Sequence, residues 1–262
     1  MQELRLAPGT SGLRLFLRRL LLLLFLLLLA FWPLESRALL RDADFIRQTS
    51  PPYVAQALKE LKTCEQHLQQ GRGNREQILL RLSQLCYLLG ELTEGGQRLP
   101  YYEKGRDYAE RLLEEKPHSV KGLYWLAQNL CGVAEVGGAG RALTLLPDIV
   151  ELLEEVAARD PAYDQAGAHR ALGSIYYQAP DWPLSVGDRQ KALHHLRLAV
   201  KIAPENSTNH LLLGDLLLRL GKKKEARAEL ARVLSSRRHS VWLLGVEHDR
   251  REARRLLAQM QD

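Results

Sequence analysis

Small and apolar residues recur at fixed steps along this chain, and these steps limit what it can fold into. Near the C-terminal end, two sets share steps of four and three residues, which place side chains on one face of a helix. A proline follows the first set five residues later and cannot continue a helix interior. The spacing therefore predicts repeated pairs of helices. The two sets are Ala192, Leu196, Ala199 and Pro204, and then Ala226, Leu230 and Val233.

The same steps occur twice more upstream and divide the chain into four units. Each of the first three units ends at a proline, and in the fourth Arg238 stands where the proline would be. We predict a helical segment at residues 39–74 before the units and a capping helix at residues 241–262 after them. The four units are residues 75–117, 118–161, 162–204 and 205–238, and the upstream sets are Gly105, Ala109, Leu112 and Pro117, and Ile149, Leu153, Val156 and Pro161.

A period of about 34 residues is that of the tetratricopeptide (TPR) repeat. Small residues such as Gly214 and Ala226 leave room for two helices to approach closely, while Leu213 and Leu230 fill the groove beside them. We therefore predict an all-α, right-handed TPR-like solenoid with a C-terminal capping helix. The alternative is an irregular helical bundle rich in leucine and alanine.

Three of the four units are longer than the repeat requires. Relative to the fourth unit, the third and second have 7 and 10 extra residues between their two helices. The first has a long connection over about residues 93–100, and we expect the return helix of the second unit to begin at Pro147. Because equivalent loops of a solenoid align, the prediction is three long loops on one edge.

Loops on a rigid scaffold commonly carry binding residues. The loop around residues 176–188 is the richest, and its alternative interpretation is that Pro180, Trp182 and Pro183 only stiffen and pack it. A second hypothesis is a deep solute pocket lined by Trp125 with the aromatic rings of this loop. The candidate binding residues are Trp125, Tyr176, Tyr177, Asp181, Trp182 and Arg189.

The N-terminal residues follow the pattern of an export signal. An uncharged stretch at residues 20–32 follows Arg14, Arg18 and Arg19. Small residues, Ser36 and Ala38, occupy the −3 and −1 positions of a cleavage site after Ala38. A positive region, a short apolar core and small residues at the cleavage site are typical of a signal peptide. Two interpretations stay open, cleavage after Ala38 or an uncleaved anchor formed by residues 13–34. Both predict an extracytoplasmic, most simply periplasmic, folded part.

Charge and motifs argue against nucleic-acid binding and catalysis. The formal charge is +6, but residues 1–38 carry +3 of it and the remaining basic residues are dispersed among acids. Nucleic-acid binders concentrate basic residues beside aromatic ones. The glycines at residues 137–140 lack the strand and lysine of a phosphate-binding loop. We predict a non-enzymatic protein without a metal or cofactor.

Cysteine and histidine positions do not predict a metal site. Cys64, Cys86 and Cys131 are far apart in sequence, so they are either free thiols or, for Cys64 and Cys86, partners in a disulfide. His194 and His195 are adjacent on a helix and face different directions. His169 and His210 begin equivalent helices, where they either pack or face solvent.

Several stretches resemble the T-component family that accompanies TRAP transporters, over about residues 78–262. The chain is also similar to regulator-of-microtubule-dynamics proteins over residues 82–235. The T-component resemblance implies an all-helical periplasmic protein that forms oligomers and partners a solute-binding protein. The stretches are residues 102–109, residues 160–164, and the pattern Leu172-Gly173, Pro180, Gly187-Asp188 and Lys191-Ala192.

Taken together, these features predict a scaffold of the cell envelope that holds a partner protein or extended peptide, as an auxiliary of solute transport. The groove of the solenoid and its loop edge are the candidate surfaces. The alternative function is a periplasmic auxiliary that binds a small solute. Contact with a membrane is expected only through the N-terminal segment, and a homo-oligomer is a further expectation.

Overall fold

A computed structural model describes residues 51–236 and 245–260 of the protein. The predicted signal segment at residues 1–38, residues 39–50 of the predicted N-terminal helical segment, and Arg238 all lie outside this description. No helix within the described ranges is long and apolar enough to cross a membrane.

The described chain is built from α-helices, with one short 3₁₀ turn at Gly95–Gln97. Within the helical segment predicted at residues 39–74, a helix begins at Pro51, and the first helix of the first unit begins at Arg75. The helices are α1 (Pro51–Gln69), α2 (Arg75–Leu92), α3 (Arg98–Glu115), α4 (Val120–Gly137), α5 (Ala139–Arg159), α6 (Tyr163–Gln178), α7 (Arg189–Ile202), α8 (Ser207–Arg219), α9 (Lys223–Ser235) and α10 (Gly245–Ala258).

Consecutive helices pack as pairs, and the pairs stack in chain order. The two helices of each unit pack together, α2 with α3, α4 with α5, α6 with α7 and α8 with α9, and α3 also packs extensively against α4 of the next unit. Helix α1 packs against α2 at one end, and α10 packs against α8 and α9 at the other. The predicted all-α, TPR-type architecture is confirmed.

Two glycines permit the close approach of paired helices. A Cβ atom on Gly173 would lie 2.5 Å from Cγ of Leu196, and one on Gly214 would lie 2.8 Å from Cδ2 of Leu230. Both leucines are fully buried. Their burial contributes about 1.5–3 kcal/mol each by removing apolar surface from water. The small residues of the repeat therefore act as predicted.

Helix ends agree with the capping residues and prolines of the sequence. The side chains of Asn74, Ser119 and Asn206 accept hydrogen bonds from backbone N–H groups in the first turns of α2, α4 and α8. Such caps satisfy donors that have no partner within the helix. The return helices α3, α5 and α7 each end two residues before a proline.

The long loop predicted in the second unit is wrong, and the connection predicted in the first unit is shorter than expected, over residues 93–97. Helix α3 begins at Arg98, within the connection expected at residues 93–100. In the second unit, Gly138 alone separates α4 from α5, and α5 continues through Pro147. The extra residues therefore lengthen the helices, because the stretch around Pro147 consists largely of helix-forming alanines and leucines.

The start of α6 contains a left-handed turn that the sequence did not indicate. Asp164, Gln165 and Ala166 have φ values of 49°, 56° and 63°. Left-handed residues other than glycine cost about 1–2 kcal/mol each. The Arg170 guanidinium offsets part of this cost, since it donates to the carbonyl oxygens of residues 164 and 165 and to the Asp164 carboxylate. Asn209 of α8 donates to the Gln165 carbonyl as well.

The three cysteines are free thiols. The disulfide alternative for Cys64 and Cys86 is therefore not realised. Cys86 is buried and Cys64 is half-buried. Burial raises the pKa of both the Cys86 and the Cys131 thiols to about 12. Thiols with raised pKa values are poor nucleophiles, which indicates packing rather than reactivity.

Candidate interaction site

The insertion of the third unit is a true loop, between the end of α6 and Asp188. Three backbone hydrogen bonds fix it: Leu184 N–H donates to Asp181 O at 3.1 Å, Gly187 N–H to Pro180 O at 2.8 Å and Asp188 N–H to Tyr176 O at 2.9 Å. The last two bring the two ends of the loop together. We call residues 179–188 the docking loop.

The tip of the docking loop exposes two large apolar side chains. Trp182 is 84% exposed and Leu184 is 56% exposed. Among the described residues, the other exposed large hydrophobic side chain is Leu58, at 41%. An exposed tryptophan on an ordered backbone provides a large apolar contact area, and tryptophan is among the residues enriched at binding hot spots. Leu184 was not among the predicted residues, although its place beside Trp182 could have indicated it.

The base of the docking loop is packed too tightly for a side chain at Gly187. A Cβ atom there would lie 2.5 Å from the carbonyl oxygen of Pro180, which is backbone and cannot move aside. The next residue, Asp188, caps α7, because its carboxylate accepts from the N–H groups of Gln190 and Lys191. The loop thus joins α7 through a fixed turn.

Tyr176 is buried beneath the loop and does not face a ligand. Its hydroxyl donates to Glu154 Oε1 of α5 at 2.9 Å, and its ring stacks on His195 with centroids 5.6 Å apart. Lys191 Nζ lies 5.1 Å from the centre of the same ring. Burial, and then the hydrogen bond to Glu154, raise the pKa of Tyr176 to about 12. Tyr176 therefore supports the loop from below.

Tyr177 points toward the next unit rather than toward Tyr176. Burial first, and then the charge of Asp215, raise the pKa of Tyr177. Burial also raises the pKa of Asp215, while Arg219 and Tyr177 act in the opposite direction. The Asp215 carboxylate lies 3.6 Å from Arg219 Nε. Arg189 and Asp181 are exposed at the ends of the loop.

Trp125 belongs to a separate aromatic cluster. Its indole N–H donates to Tyr163 Oη at 3.1 Å, and its ring lies 5.6 Å from that of Tyr87 and 5.3 Å from that of Tyr124. Trp125 is only 7% exposed, whereas Trp182 faces solvent. The predicted candidates therefore do not line one pocket. Trp125 lies away from the docking loop. The candidates in or next to the loop are Tyr176, Tyr177, Asp181, Trp182 and Arg189.

A histidine pair lies between α6 and α7, directly below Tyr176. His169 Nδ1 and His195 Nδ1 are 3.0 Å apart, a hydrogen-bond distance. His169 is buried and His195 half-buried. The sequence indicated that His169 would begin a helix but not that it would meet His195, because the contact depends on how α6 and α7 pack.

The described residues offer no evident centre for metal binding. Within residues 51–236 and 245–260, no group of three or more histidine, cysteine or acidic side chains could hold a metal ion. Depressions on the described surface are open to solvent, and one of them lies on α7 and is lined by Leu193, Arg197 and Lys201 among others. The docking loop is therefore the feature of this region with the clearest capacity to bind.

Comparison with the solved structure of a TPR protein agrees with the observed architecture. A thermophilic TPR protein of Thermus thermophilus is 27% identical to this chain and superposes on it with a TM-score of 0.52. The match covers 71% of this chain and 82% of the Thermus chain. A double mutant of the protein MamA is 20% identical, covers 68% of this chain and 93% of its own, and has a TM-score of 0.41. No curated protein matches the sequence significantly.

The family comparison extends over the units and the docking loop. The TRAP transporter T-component family matches residues 89–262, well over half of the chain. This range includes α3 to α10, the left-handed turn and the histidine pair. The resemblance found in the sequence is thus confirmed, and the chain belongs to the TRAP transporter T-component family.

Proposed function

We propose that this protein is a scaffold outside the cytoplasm that docks a partner protein of a solute-transport system on its docking loop. One observation carries the proposal: Trp182, with Leu184 beside it, is exposed on a loop whose backbone is held by hydrogen bonds at both ends. Membership of the T-component family supports the link to transport. The signal-like pattern of residues 1–38 supports the location.

A protein partner fits this loop better than a small solute. A solute site buries most of its ligand in a concave pocket with converging polar groups. The docking loop instead exposes its apolar side chains, Trp182 and Leu184, to solvent. An ordered loop also loses little conformational entropy on binding, which favours affinity. The partner we propose therefore offers an apolar pocket for the indole ring.

Affinity purification with matched variants tests the proposal. The tagged full-length protein is recovered from gently solubilised membranes at pH 7.5, and each partner is then purified and titrated against it. For Trp182→Ala we expect the dissociation constant of a direct partner to rise at least about tenfold, as for a hot-spot residue. Leu58→Ala, which removes an exposed apolar side chain from α1, should leave the affinity unchanged.

The affinity of Trp182→Ala for the partner shows whether the docking loop is the binding site. A partner that binds this variant and the wild type with equal affinity uses another surface, and the docking loop is then not the site. A partner that is a component of a solute transporter supports the proposed role in transport. Partners drawn only from other machinery would contradict it.

A further inference from the structure

The histidine pair lies beneath the docking loop and is connected to it through one residue. The ring of Tyr176 stacks on His195 with an interplanar angle of 24°, and the backbone carbonyl of Tyr176 accepts the Asp188 N–H that closes the loop. Tyr176 therefore contacts both His195 and the end of the docking loop. No part of the proposed docking function uses the pair.

The contact between the two rings depends on their protonation. A hydrogen bond between two Nδ1 atoms requires that one donates a proton and that the other keeps a free lone pair. When both Nδ1 atoms carry a proton, two N–H groups oppose each other at 3.0 Å and the bond is lost. Two imidazolium charges at this distance also repel. The arrangement is therefore compatible with neutral pH and not with full protonation.

We propose that the His169–His195 pair is an acid-sensitive contact that holds the docking loop closed at neutral pH and releases it when the histidines become protonated. This regulation rests on the proposed docking function, since the loop it controls is the docking loop. Release would displace Tyr176 and loosen the turn at Gly187 and Asp188. Trp182 would then lose the ordered backbone that presents it.

The charged and titratable groups around the pair mostly oppose protonation. Burial lowers the pKa of His169, and His194 lowers it further. Burial lowers the pKa of His195 from 6.5 to about 4, with His169, His194 and Lys191 acting in the same direction. Glu154 of α5 acts against them, but the net pKa is still low. Tyr176 completes the surroundings from α6.

The sign of the pH dependence follows from these pKa values. Since the pKa of His195 is lower in the closed loop than in an open one, protons bind preferentially to the open form below pH 6.5. Closure is therefore unaffected above that pH and weakens as the pH falls toward 4. From His195 alone, the equilibrium constant for opening should rise about tenfold between pH 7.5 and pH 5.5.

Hydrogen exchange of the full-length protein, without a partner and with a chelator present, tests this inference. The amides of Gly187 and Asp188, which donate across the loop, should lose about tenfold in protection factor at pH 5.5 relative to pH 7.5. The amides of α3, a helix without histidine, should not. His195→Gln should abolish the response of the loop, and His118→Gln, at an exposed histidine, should preserve it.

Three results would overturn the inference: equal loop protection at both pH values, a response that survives in His195→Gln, or loss of protection in α3 to the same extent. If His195→Gln does not fold, an NMR titration of His195 in the wild-type protein replaces the exchange experiment on that variant. A measured pKa of His195 near 6.5 would then contradict the inference. Because no partner is present, failure here leaves the docking function standing. If loop protection responds to pH as expected but Trp182→Ala binds its partner with wild-type affinity, only the docking function is contradicted.

Discussion

The second and third units carry insertions of similar length, yet only one of them is a loop. In the second unit the extra residues lengthen α4 and α5, which a single residue, Gly138, joins. In the third they form the docking loop, which has Pro180 and Pro183 among its ten residues. Residues that precede proline avoid the helical conformation, so two closely spaced prolines interrupt a helix where the isolated Pro147 does not.

The comparison shows that the length of an insertion does not determine the conformation of its residues. The number of inserted residues shows only that the chain departs from the repeat. Whether those residues extend the packed helices or project a binding surface depends on where glycine and proline stand. The comparison predicts opposite responses to the same substitutions in the two insertions.

The largest effect is expected at the glycine of the loop base. Gly187→Ala places a methyl group 2.5 Å from the Pro180 carbonyl oxygen, so the backbone must shift. We expect a loss of about 1–3 kcal/mol in the free energy of unfolding, as for other overpacked sites. Chemical denaturation measures it, and hydrogen exchange should locate the damage in residues 179–188.

Gly140 in the second insertion is the matched control. It lies in α5, and a Cβ atom there would meet nothing within 4 Å. Gly140→Ala should therefore stabilise the protein by roughly 0.5–1 kcal/mol, because alanine loses less backbone entropy in a helix than glycine. Equal effects at the two positions would contradict the assignment of one insertion to a helix and the other to a tight loop.

Much of the fold could be predicted from the sequence because it depends on local spacing. Steps of three and four residues, capping residues such as Asn74 and unit-ending prolines all act within a few positions of the helix they define. The conformation of the second insertion was predicted wrongly, since Pro147 is typical of a helix start, whereas α5 begins at Ala139 and continues through it. The left-handed turn at Asp164 is stabilised by Arg170 and by Asn209 of another helix, which spacing does not reveal.

The candidate site was predictable in part for the same reason. The sequence located the docking loop and Trp182 because loop composition is local. It grouped Trp125 with them wrongly, since aromatic residues of different helices form clusters only through packing. His195 was considered beside His194, its neighbour in the chain, whereas its contact is His169 of the preceding helix.

An intermediate effect is expected at the proline that α5 contains. Pro147 is exposed and cannot donate a hydrogen bond to the carbonyl of Leu143, one turn earlier. Pro147→Ala restores the donor, and we expect a gain of about 1 kcal/mol in the free energy of unfolding, less than the full helix cost of proline because α5 already accommodates the ring. Thermal unfolding followed by circular dichroism checks it.

Pro161 provides the control for that substitution. It lies in the turn after α5, where a fixed φ angle lowers the entropy of the unfolded chain. Pro161→Ala should therefore bring no gain and cost up to about 1 kcal/mol. A gain at Pro161 with none at Pro147 would indicate that α5 begins only after residue 147, and the second insertion would then resemble the third.

The smallest effect on stability is expected at the tip of the docking loop. Trp182 is 84% exposed, so Trp182→Ala removes little buried surface and should change the free energy of unfolding by no more than about 0.5 kcal/mol. Denaturant titration of the purified variant measures this. A loss of several kcal/mol would show that the indole packs against the protein, as Trp125 does. A negligible change would mean that the tryptophan contributes little to folding, as the proposed docking role requires.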